Sequence, residues 1–271
     1  MVPIDLKNLL EPGNKFFLIA GPCVVESEEL CLNIAGHMKE LTNKLGIPYI
    51  FKASYRKANR TSDTSFQGIG DDKALRILQK VKQSLDVPVL TDIHETKEVE
   101  MAAQVADILQ IPAFLARQTD LLKSAGKSGR AVNIKKGQFM SAESMAFAVE
   151  KIRNTGNQNV MVTERGSFFG YQDLVVDFRS LIQMQDLDCP VIYDATHSLQ
   201  RPNQSKGISG GMPEYIIPMA RAAMATGIQG LFVETHPHPE NAFSDGENML
   251  PLDQMDNLLN QLIRIKEAII G

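Results

Sequence analysis

The chain has 271 residues, 44% of them hydrophobic and 22% charged, with a net charge of −4, which is typical of a globular protein. The mild acidic excess argues against a nucleic-acid partner, and the most apolar long stretch, at 215–233, is interrupted by proline, arginine and glycine, which argues against a membrane span. The three cysteines do not make a disulfide framework and the N-terminus lacks a signal-peptide pattern, so we expect a cytoplasmic protein.

Short apolar runs alternate with amphipathic stretches along the whole chain. The apolar runs predict eight strands, at 16–20, 49–52, 89–92, 108–111, 131–134, 160–163, 191–194 and 231–234. The amphipathic stretches predict helices, among them 28–45 with Ser27 as its N-cap, 72–85, 97–105, 142–154 and 214–226.

Strands that alternate with helices imply a parallel sheet, and eight units in about 250 residues favour a (β/α)₈ barrel over a doubly wound sheet. The rival fold would need a glycine-rich phosphate turn after its first strand, and residues 20–24 lack that spacing. We therefore predict an α/β protein with one (β/α)₈ catalytic domain that spans residues 1–271.

In such a barrel, the residues just past the carboxyl ends of the strands converge on one face, where the chemistry takes place. Every predicted strand is followed there by polar or ionisable residues. In strand order they are Cys23, the basic segment 52–60, Asp92 with His94, Gln110 with Arg117, Lys135 with Gln138, Glu164 with Arg165, Asp194 with His197, and Glu234 with His236, His238 and Asp245.

Cations are prominent among these residues. The segment 51–62 contains Lys52, Arg56, Lys57 and Arg60, together with the neutral donors Ser54, Asn59, Thr61 and Ser62. Cations that crowd a strand end repel one another unless an anion lies among them. One barrel face thus holds six cations, more than one monophosphate requires, so we expect two phosphate groups or a phosphate and a carboxylate; the six are Lys52, Lys57, Arg60, Arg117, Lys135 and Arg165. The alternative is a group of solvated loops whose acidic partners are Asp92, Glu95 and Glu164.

A second group has the chemistry of metal ligands. Cys23, His197, Glu234 and Asp245 offer a thiolate, an imidazole and two carboxylates, which suits Zn²⁺, Fe²⁺ or Mn²⁺ better than Ca²⁺ or Mg²⁺. His236 and His238 compete with His197 for this role, and Asp194 competes with Asp245. Cys23 and His197 are also explained as ordinary core residues, and we interpret Cys31 and Cys189 as packing residues.

Five segments carry a resemblance to a known family: 19–27 (IAGPCVVES), 52–60 (KASYRKANR), 110–119 (QIPAFLARQT), 133–139 (NIKKGQF) and 233–237 (VETHP). They resemble the 3-deoxy-D-manno-octulosonate 8-phosphate synthases, from about residue 16 to the C-terminus. The resemblance implies a homotetrameric (β/α)₈ barrel that condenses phosphoenolpyruvate with D-arabinose 5-phosphate and releases inorganic phosphate. The product of that family feeds lipopolysaccharide biosynthesis.

The resemblance also implies roles for individual residues. Lys57, Lys135 and Arg165 would bind phosphoenolpyruvate, with Lys52, Ser54 and Gln110 nearby. Asn59, Arg60 and Thr61 would receive the pentose, with Thr61 in place of the usual serine, and Arg117 would reach the pentose phosphate from a neighbouring subunit. Cys at position 23, with Ser244-Asp245-Gly246, is similar to the metal-dependent branch of the family, which implies a divalent ion such as zinc, iron, manganese or cobalt. His197, Asp92 or a metal-held water would move the protons, and the sequence leaves that choice open.

Two alternative functions remain at this point. The related heptulosonate 7-phosphate synthases have Lys-Pro-Arg-Thr where this chain has Lys57-Ala-Asn-Arg60, which favours arabinose 5-phosphate over erythrose 4-phosphate. A non-catalytic phosphosugar-binding barrel is the other alternative, because a fold does not imply catalysis. Such a protein would not need a thiolate-containing metal site.

Overall fold

The structure is a computed structural model that describes residues 6, 9, 16–58, 66–170, 173–201 and 210–270. The predicted pentose contacts Asn59, Arg60 and Thr61 therefore lie outside the described residues. Within the described ranges, no helix has the length and apolar character needed to cross a membrane.

Eight parallel strands form a closed barrel, as predicted. They are β1 (Phe17–Gly21), β2 (Tyr49–Lys52), β3 (Val89–Asp92), β4 (Ile108–Ile111), β5 (Ala131–Lys135), β6 (Val160–Glu164), β7 (Val191–Asp194) and β8 (Gly230–His236). Each strand pairs with the next along the chain, and β8 pairs with β1 from Phe17 opposite Gly230 to Gly21 opposite Glu234. The predicted strand positions are confirmed to within two residues at each end.

The helices follow the strands in alternation. They are α1 (Glu28–Leu45), α2 (Asp71–Leu85), α3 (Val99–Val105), α4 (Thr119–Lys127), α5 (Met145–Arg153), α6 (Phe178–Gln185), α7 (Ile216–Ala225) and α8 (Met255–Ile270). Ser27 is confirmed as the N-cap of α1, since its hydroxyl accepts a hydrogen bond of 3.1 Å from the Leu30 backbone nitrogen. The predicted helix at 142–154 begins later, at Met145, because Ser144 first forms a turn with Ser141.

Burial on both faces explains why the strands read as continuous apolar runs. One cluster of buried side chains fills the lower part of the barrel, and includes Phe17, Ile50, Leu90 and Ile108. A larger cluster lies between the barrel and its helices. Apolar residues thus fill the lower barrel, and the inward-facing residues change to polar ones at the carboxyl ends of the strands, which places the candidate site there.

Three shorter strand pairings surround that face. Ser167–Phe169 pairs with Asp173–Val175 after β6, Gln200–Arg201 pairs with Gly210–Gly211 after β7, and Leu250–Pro251 adds to β8. These segments lie beside the strand ends that carry the polar residues.

Candidate functional site

A pocket opens at the carboxyl ends of the strands, where the sequence predicts the site. Its lining includes nine of the polar residues that follow strands two to seven: Lys52, Lys57, Asp92, His94, Gln110, Lys135, Gln138, Arg165 and His197. Asp194 also lines it, next to Lys135 and His197. The barrel therefore gathers residues from distant parts of the chain into one polar cavity.

Lys52 links the pocket to the predicted metal ligands. Its ammonium group donates to Glu234 Oε1 at 2.5 Å and to the Cys23 carbonyl at 2.9 Å, and it is fully buried. Burial raises the pKa of Glu234, but the charges of Lys52 and His197 outweigh this effect and hold the pKa below its usual value. Lys52 therefore neutralises a buried carboxylate at the edge of the pocket.

Cys23, Glu234 and Asp245 form the cluster that the sequence predicts. One ligand atom from each lies within 4.8 Å of the others, and Cys23 Sγ is 3.1 Å from Asp245 Oδ2 and 2.9 Å from Ser244 Oγ. Asp245 has a φ of 51°, in the left-handed region that Asp tolerates better than most residues, which aims its carboxylate at Cys23. The loop after β8 thus brings a carboxylate to the end of β1.

The donors of this cluster fit a divalent cation. Burial and the charge of Glu234 raise the pKa of the Cys23 thiol, so the thiol faces two carboxyl groups with its proton retained. Glu234 Oε2 is buried and has no hydrogen-bond partner among the described residues. A cation between these groups would favour the thiolate and give the orphaned oxygen a partner.

His197 lies next to the cluster but is bound first to Asp194. Its Nδ1 is 2.8 Å from Asp194 Oδ2 and its Nε2 is 3.5 Å from Glu234 Oε1. A carboxylate only accepts hydrogen bonds, so Nδ1 donates to Asp194 and the other ring nitrogen is left facing Glu234. The structure therefore places Nε2 beside the three ligands without making His197 part of their mutual contact.

The other residues considered as metal ligands make contacts outside this cluster. Asp194 accepts hydrogen bonds from Lys135 and His197, so its carboxylate is already occupied. His236 accepts a hydrogen bond from the His238 backbone at 2.9 Å, and His238 is exposed beside Glu240. Of these candidates, His197 is the histidine whose ring reaches a carboxylate of the cluster.

Lys135 is a buried ammonium with an altered pKa. It donates to Asp194, and its Nζ lies 3.3 Å from the centroid of the Phe232 ring. Burial lowers its pKa to about 8, and the attraction of Asp194 opposes that shift only in part. Its charge is therefore sensitive to whatever else enters the pocket.

Arg165 presents donors to the same space. Its Nη2 donates to Gln200 Oε1 at 2.8 Å, while Nη1 is buried and has no hydrogen-bond partner among the described residues. A buried guanidinium N–H without a partner is unfavourable, and an anion in the pocket would satisfy it.

Asp92 places a negative charge among the cations that line the pocket. Its carboxylate accepts hydrogen bonds from Ser54 and, at 2.5 Å, from Gln110 Nε2. Burial raises its pKa, but the charges of Lys52, Lys57 and His94 outweigh that effect and hold the pKa far below the usual value. Asp92 is therefore an ionised carboxylate in the lining of the pocket.

Two of the predicted cations are placed differently from the rest. Arg56 points away from the pocket and pairs with the buried Glu98, which also accepts hydrogen bonds from Tyr55 and the His94 backbone. Arg117 is exposed and lines a surface groove with Phe139 and Phe147. For Arg56 the alternative of acidic structural partners is thus correct: Glu98 is its nearest partner, and the predicted Glu95 lies 3.8 Å from the guanidinium.

Two residues of the site, Asn133 and Thr163, have no role predicted from the sequence, and Asp194 is predicted only as a competing metal ligand. Asn133 and Thr163 are polar positions inside otherwise apolar strands, and that pattern is the signal that identifies them.

The fold and the site define a class: a (β/α)₈ barrel with a cation-lined pocket beside a cluster of thiol and carboxylate ligands. A family model described as "DAHP synthetase I family" matches residues 2–270, and the chain belongs to this family.

Three curated relatives of this chain share one protein name. A "2-dehydro-3-deoxyphosphooctonate aldolase" of Nitrosococcus oceani is 54% identical over 253 residues, which cover 93% of this chain and 90% of the relative. Proteins with the same name from Dechloromonas aromatica and from Xanthomonas campestris pv. campestris are 53% and 54% identical over 256 and 249 residues. These cover 94% and 92% of this chain, and 92% and 90% of the relatives. The resemblance to the octulosonate 8-phosphate synthases is thereby confirmed.

Proposed function

We propose that this protein condenses phosphoenolpyruvate with D-arabinose 5-phosphate and water to give 3-deoxy-D-manno-octulosonate 8-phosphate and inorganic phosphate. The observation that carries the proposal is the pocket in which Lys57, Lys135 and Arg165 meet next to the cluster of Cys23, Glu234 and Asp245. The names of relatives at 53–54% identity support the same reaction. The product would enter lipopolysaccharide biosynthesis.

Phosphoenolpyruvate carries a phosphate and a carboxylate, two anionic groups for the several cations that line the pocket. Arg165 has a buried N–H without a described partner, and Lys135 is an ammonium whose charge a second anion would stabilise. Lys57 also lines the pocket, and its Nζ lies 2.9 Å from Ser54 Oγ. We assign these three residues to phosphoenolpyruvate, with Lys52 and Gln110 beside them.

The bond changes follow from the two substrates. The third carbon of phosphoenolpyruvate forms a bond to the aldehyde carbon of the pentose, whose oxygen takes up a proton. Water adds to the second carbon, the bond from that carbon to the phosphate oxygen breaks, and the carbon becomes a ketone as phosphate leaves. Arg165 and Lys135 would stabilise the departing phosphate, and positioning of the two substrates would supply much of the acceleration.

Two side chains are placed to move protons. The Nδ1 of His197 donates to Asp194, so Nε2, 3.5 Å from Glu234 Oε1, is the ring nitrogen that would exchange a proton with a substrate. Asp92 also lines the pocket, in contact with Ser54 and Gln110, but its lowered pKa makes it the weaker proton acceptor of the two. Both groups line the cavity in which the substrates would meet.

A divalent cation held by Cys23, Glu234 and Asp245, with His197 beside them, would supply a Lewis acid when bound. The soft thiolate with harder oxygen ligands accepts zinc, iron, manganese or cobalt. The buried Glu234 Oε2 supports this assignment, since the described residues give it no hydrogen bond.

The pentose site would include residues outside the described ranges. We assign Asn59, Arg60 and Thr61 to arabinose 5-phosphate, with Arg117 reaching its phosphate from a neighbouring subunit of a homotetramer. The exposed Phe139 and Phe147 beside Arg117 support contact with another subunit. The three free cysteines support a reducing cytoplasmic setting.

The test is to mix the purified protein with phosphoenolpyruvate and arabinose 5-phosphate and to measure phosphate and the eight-carbon product. Erythrose 4-phosphate and N-acetylmannosamine serve as alternative acceptors, and Arg165→Ala serves as the inactive control. Turnover with arabinose 5-phosphate is the expected result. Binding of both substrates without turnover would contradict the proposal and favour a phosphosugar-binding barrel.

A further inference from the structure

A chain of hydrogen bonds crosses four neighbouring strands, from two residues that line the pocket to two that do not. Gln110 Nε2 lies 2.5 Å from Asp92 Oδ1, Asn133 Nδ2 lies 2.8 Å from Gln110 Oε1, and Thr163 Oγ1 lies 2.7 Å from Asn133 Oδ1. The four residues come from β3, β4, β5 and β6, one from each strand, and all are buried. We call Asp92, Gln110, Asn133 and Thr163 the polar belt.

The charge of Asp92 dictates the direction of the polar belt. A carboxylate only accepts hydrogen bonds, so the amide nitrogen of Gln110 must face it and the amide oxygen must face Asn133. Asn133 must then present its nitrogen to Gln110, which leaves its oxygen for the Thr163 hydroxyl. Every donor therefore points toward Asp92, and hydrogen bonds aligned in this way strengthen one another.

Asp92 connects the polar belt to the basic loop after β2. Its second oxygen, Oδ2, accepts a hydrogen bond from Ser54 Oγ, and Ser54 Oγ accepts one of 2.9 Å from Lys57 Nζ. An ammonium and a carboxylate leave Ser54 no choice of roles, so its single proton goes to Asp92 and an oxygen lone pair faces Lys57; the Asp92 contact therefore sets the orientation of the hydroxyl that Lys57 meets. The position of Lys57 thus depends on where Asp92 is held.

We propose that Asn133 and Thr163 are positioning residues for Lys57 and act on it through Gln110, Asp92 and Ser54. Neither residue lines the pocket, and both are fully buried inside the barrel. The inference rests on the proposed function, in which Lys57 binds phosphoenolpyruvate. Without the Thr163 hydroxyl, Asn133 Oδ1 loses its donor, the two amides can rotate, and Asp92 loses the support that orients Ser54.

The test compares Thr163→Val, which keeps the shape but removes the hydroxyl, with Thr163→Ser, which retains it. Thr42→Val is the matched control, because Thr42 is also fully buried and donates to a backbone carbonyl in α1, away from the pocket. Binding of phosphoenolpyruvate is measured by calorimetry, and the KM for arabinose 5-phosphate is measured by phosphate release.

We expect Thr163→Val to weaken phosphoenolpyruvate binding by about tenfold, in line with the loss of one buried hydrogen bond. The KM for arabinose 5-phosphate should change less than about twofold, because the polar belt acts on Lys57, which is assigned to phosphoenolpyruvate and not to the pentose. Thr163→Ser should restore affinity, and Thr42→Val should leave it unchanged. Unaltered affinity in Thr163→Val, or equal losses for both substrates, would overturn the proposal.

Two further measurements keep the proposal testable if Thr163→Val folds poorly or the wild-type protein binds no phosphoenolpyruvate. Asn133→Asp has the same shape but replaces the donor to Gln110 with an acceptor, so it should weaken phosphoenolpyruvate binding at least as much. A crystal structure of either variant should show the Gln110 amide turned from Asp92 and Lys57 no longer bound to Ser54. Unchanged side chains there would overturn the inference whatever the substrate, whereas a wild-type protein without phosphoenolpyruvate affinity would contradict the proposed function instead.

Discussion

The ammonium of Lys52 donates to the carboxylate of Glu234 across 2.5 Å, with both side chains buried at the top of the barrel. Lys52 ends β2 and Glu234 lies in β8, so the pair spans the strand between them, β1, which ends next to Cys23. This ion pair lies where the cation-lined pocket meets the thiol and carboxylate cluster. The effects of substitutions in the pocket and of substitutions in the cluster should therefore be separable by experiment.

Activity should depend on a divalent cation bound by Cys23, Glu234 and Asp245. A chelator should abolish turnover, and Mn²⁺, Co²⁺ or Zn²⁺ should restore it to differing degrees, because a mixed thiolate and carboxylate site tolerates several ions. Cys23→Ala should lose most of the bound metal by elemental analysis, whereas Cys31→Ala, in α1, should keep it. Cys23→Asn should retain partial activity that resists chelation, because the resemblance also implies a metal-independent branch of the family with Asn at this position. Full activity of a metal-free wild-type protein would refute the metal site.

The two anion sites should respond to different substitutions. Arg165→Ala and Lys135→Ala should each weaken phosphoenolpyruvate binding by about ten- to a hundredfold while the protein stays folded, since each removes a charge-assisted contact at a strand end. Arg60→Ala should instead raise the KM for arabinose 5-phosphate. Calorimetry and steady-state kinetics separate the two effects. Equal effects of all three variants on both substrates would contradict the assignment.

Phosphoenolpyruvate binding should weaken above pH 8. The pKa of Lys135 is lowered by burial to about 8, so the free protein loses this positive charge as the pH rises through that value. Binding of an anion restores the charge, so it should take up a proton, and affinity should fall by up to about tenfold per pH unit. Calorimetry between pH 7.5 and 9.5, in buffers of different ionisation enthalpy, measures both quantities.

Lys135→Arg is the control for that pH dependence. A guanidinium stays charged throughout this range, so the variant should bind phosphoenolpyruvate with an affinity that no longer changes with pH. An identical slope in the wild-type protein and in Lys135→Arg would show that another group titrates.

Arabinose 5-phosphate should be the preferred acceptor. The segment Lys57-Ala-Asn-Arg60 differs from the Lys-Pro-Arg-Thr of the heptulosonate synthases, so kcat/KM should exceed that for erythrose 4-phosphate by at least about a hundredfold. Competition between the two acceptors in one reaction, with the products separated by mass, measures the ratio directly. Equal turnover of both would rule out the acceptor assignment.

The sequence predicted the barrel well because each strand is buried on both faces and appears as a short apolar run. It was less informative about adjacent charged residues. Lys135 and Lys136 look equivalent in the sequence, yet Lys135 lines the pocket while Lys136 is buried outside it, 3.5 Å from Glu164. Strand alternation separates the two only when the register is known.

The hydrogen-bond partners of the site could not be predicted at all. Asp194 was a candidate metal ligand by its residue type, and its actual contacts with Lys135 and His197 depend on how β5 and β7 are placed. The polar belt has the same origin, because its residues are about 20 to 30 positions apart and meet only across paired strands. Residue types identified the chemistry of the site, and strand geometry determined the partners.

The contact of Cys23 with Asp245 joins positions 222 residues apart, across the seam where the last strand meets the first. Glu234 itself lies in β8, so the three groups of the cluster come together only when β8 has paired with β1. A cation bound by all three would therefore bridge this seam, and its affinity would add to the free energy that holds the barrel closed.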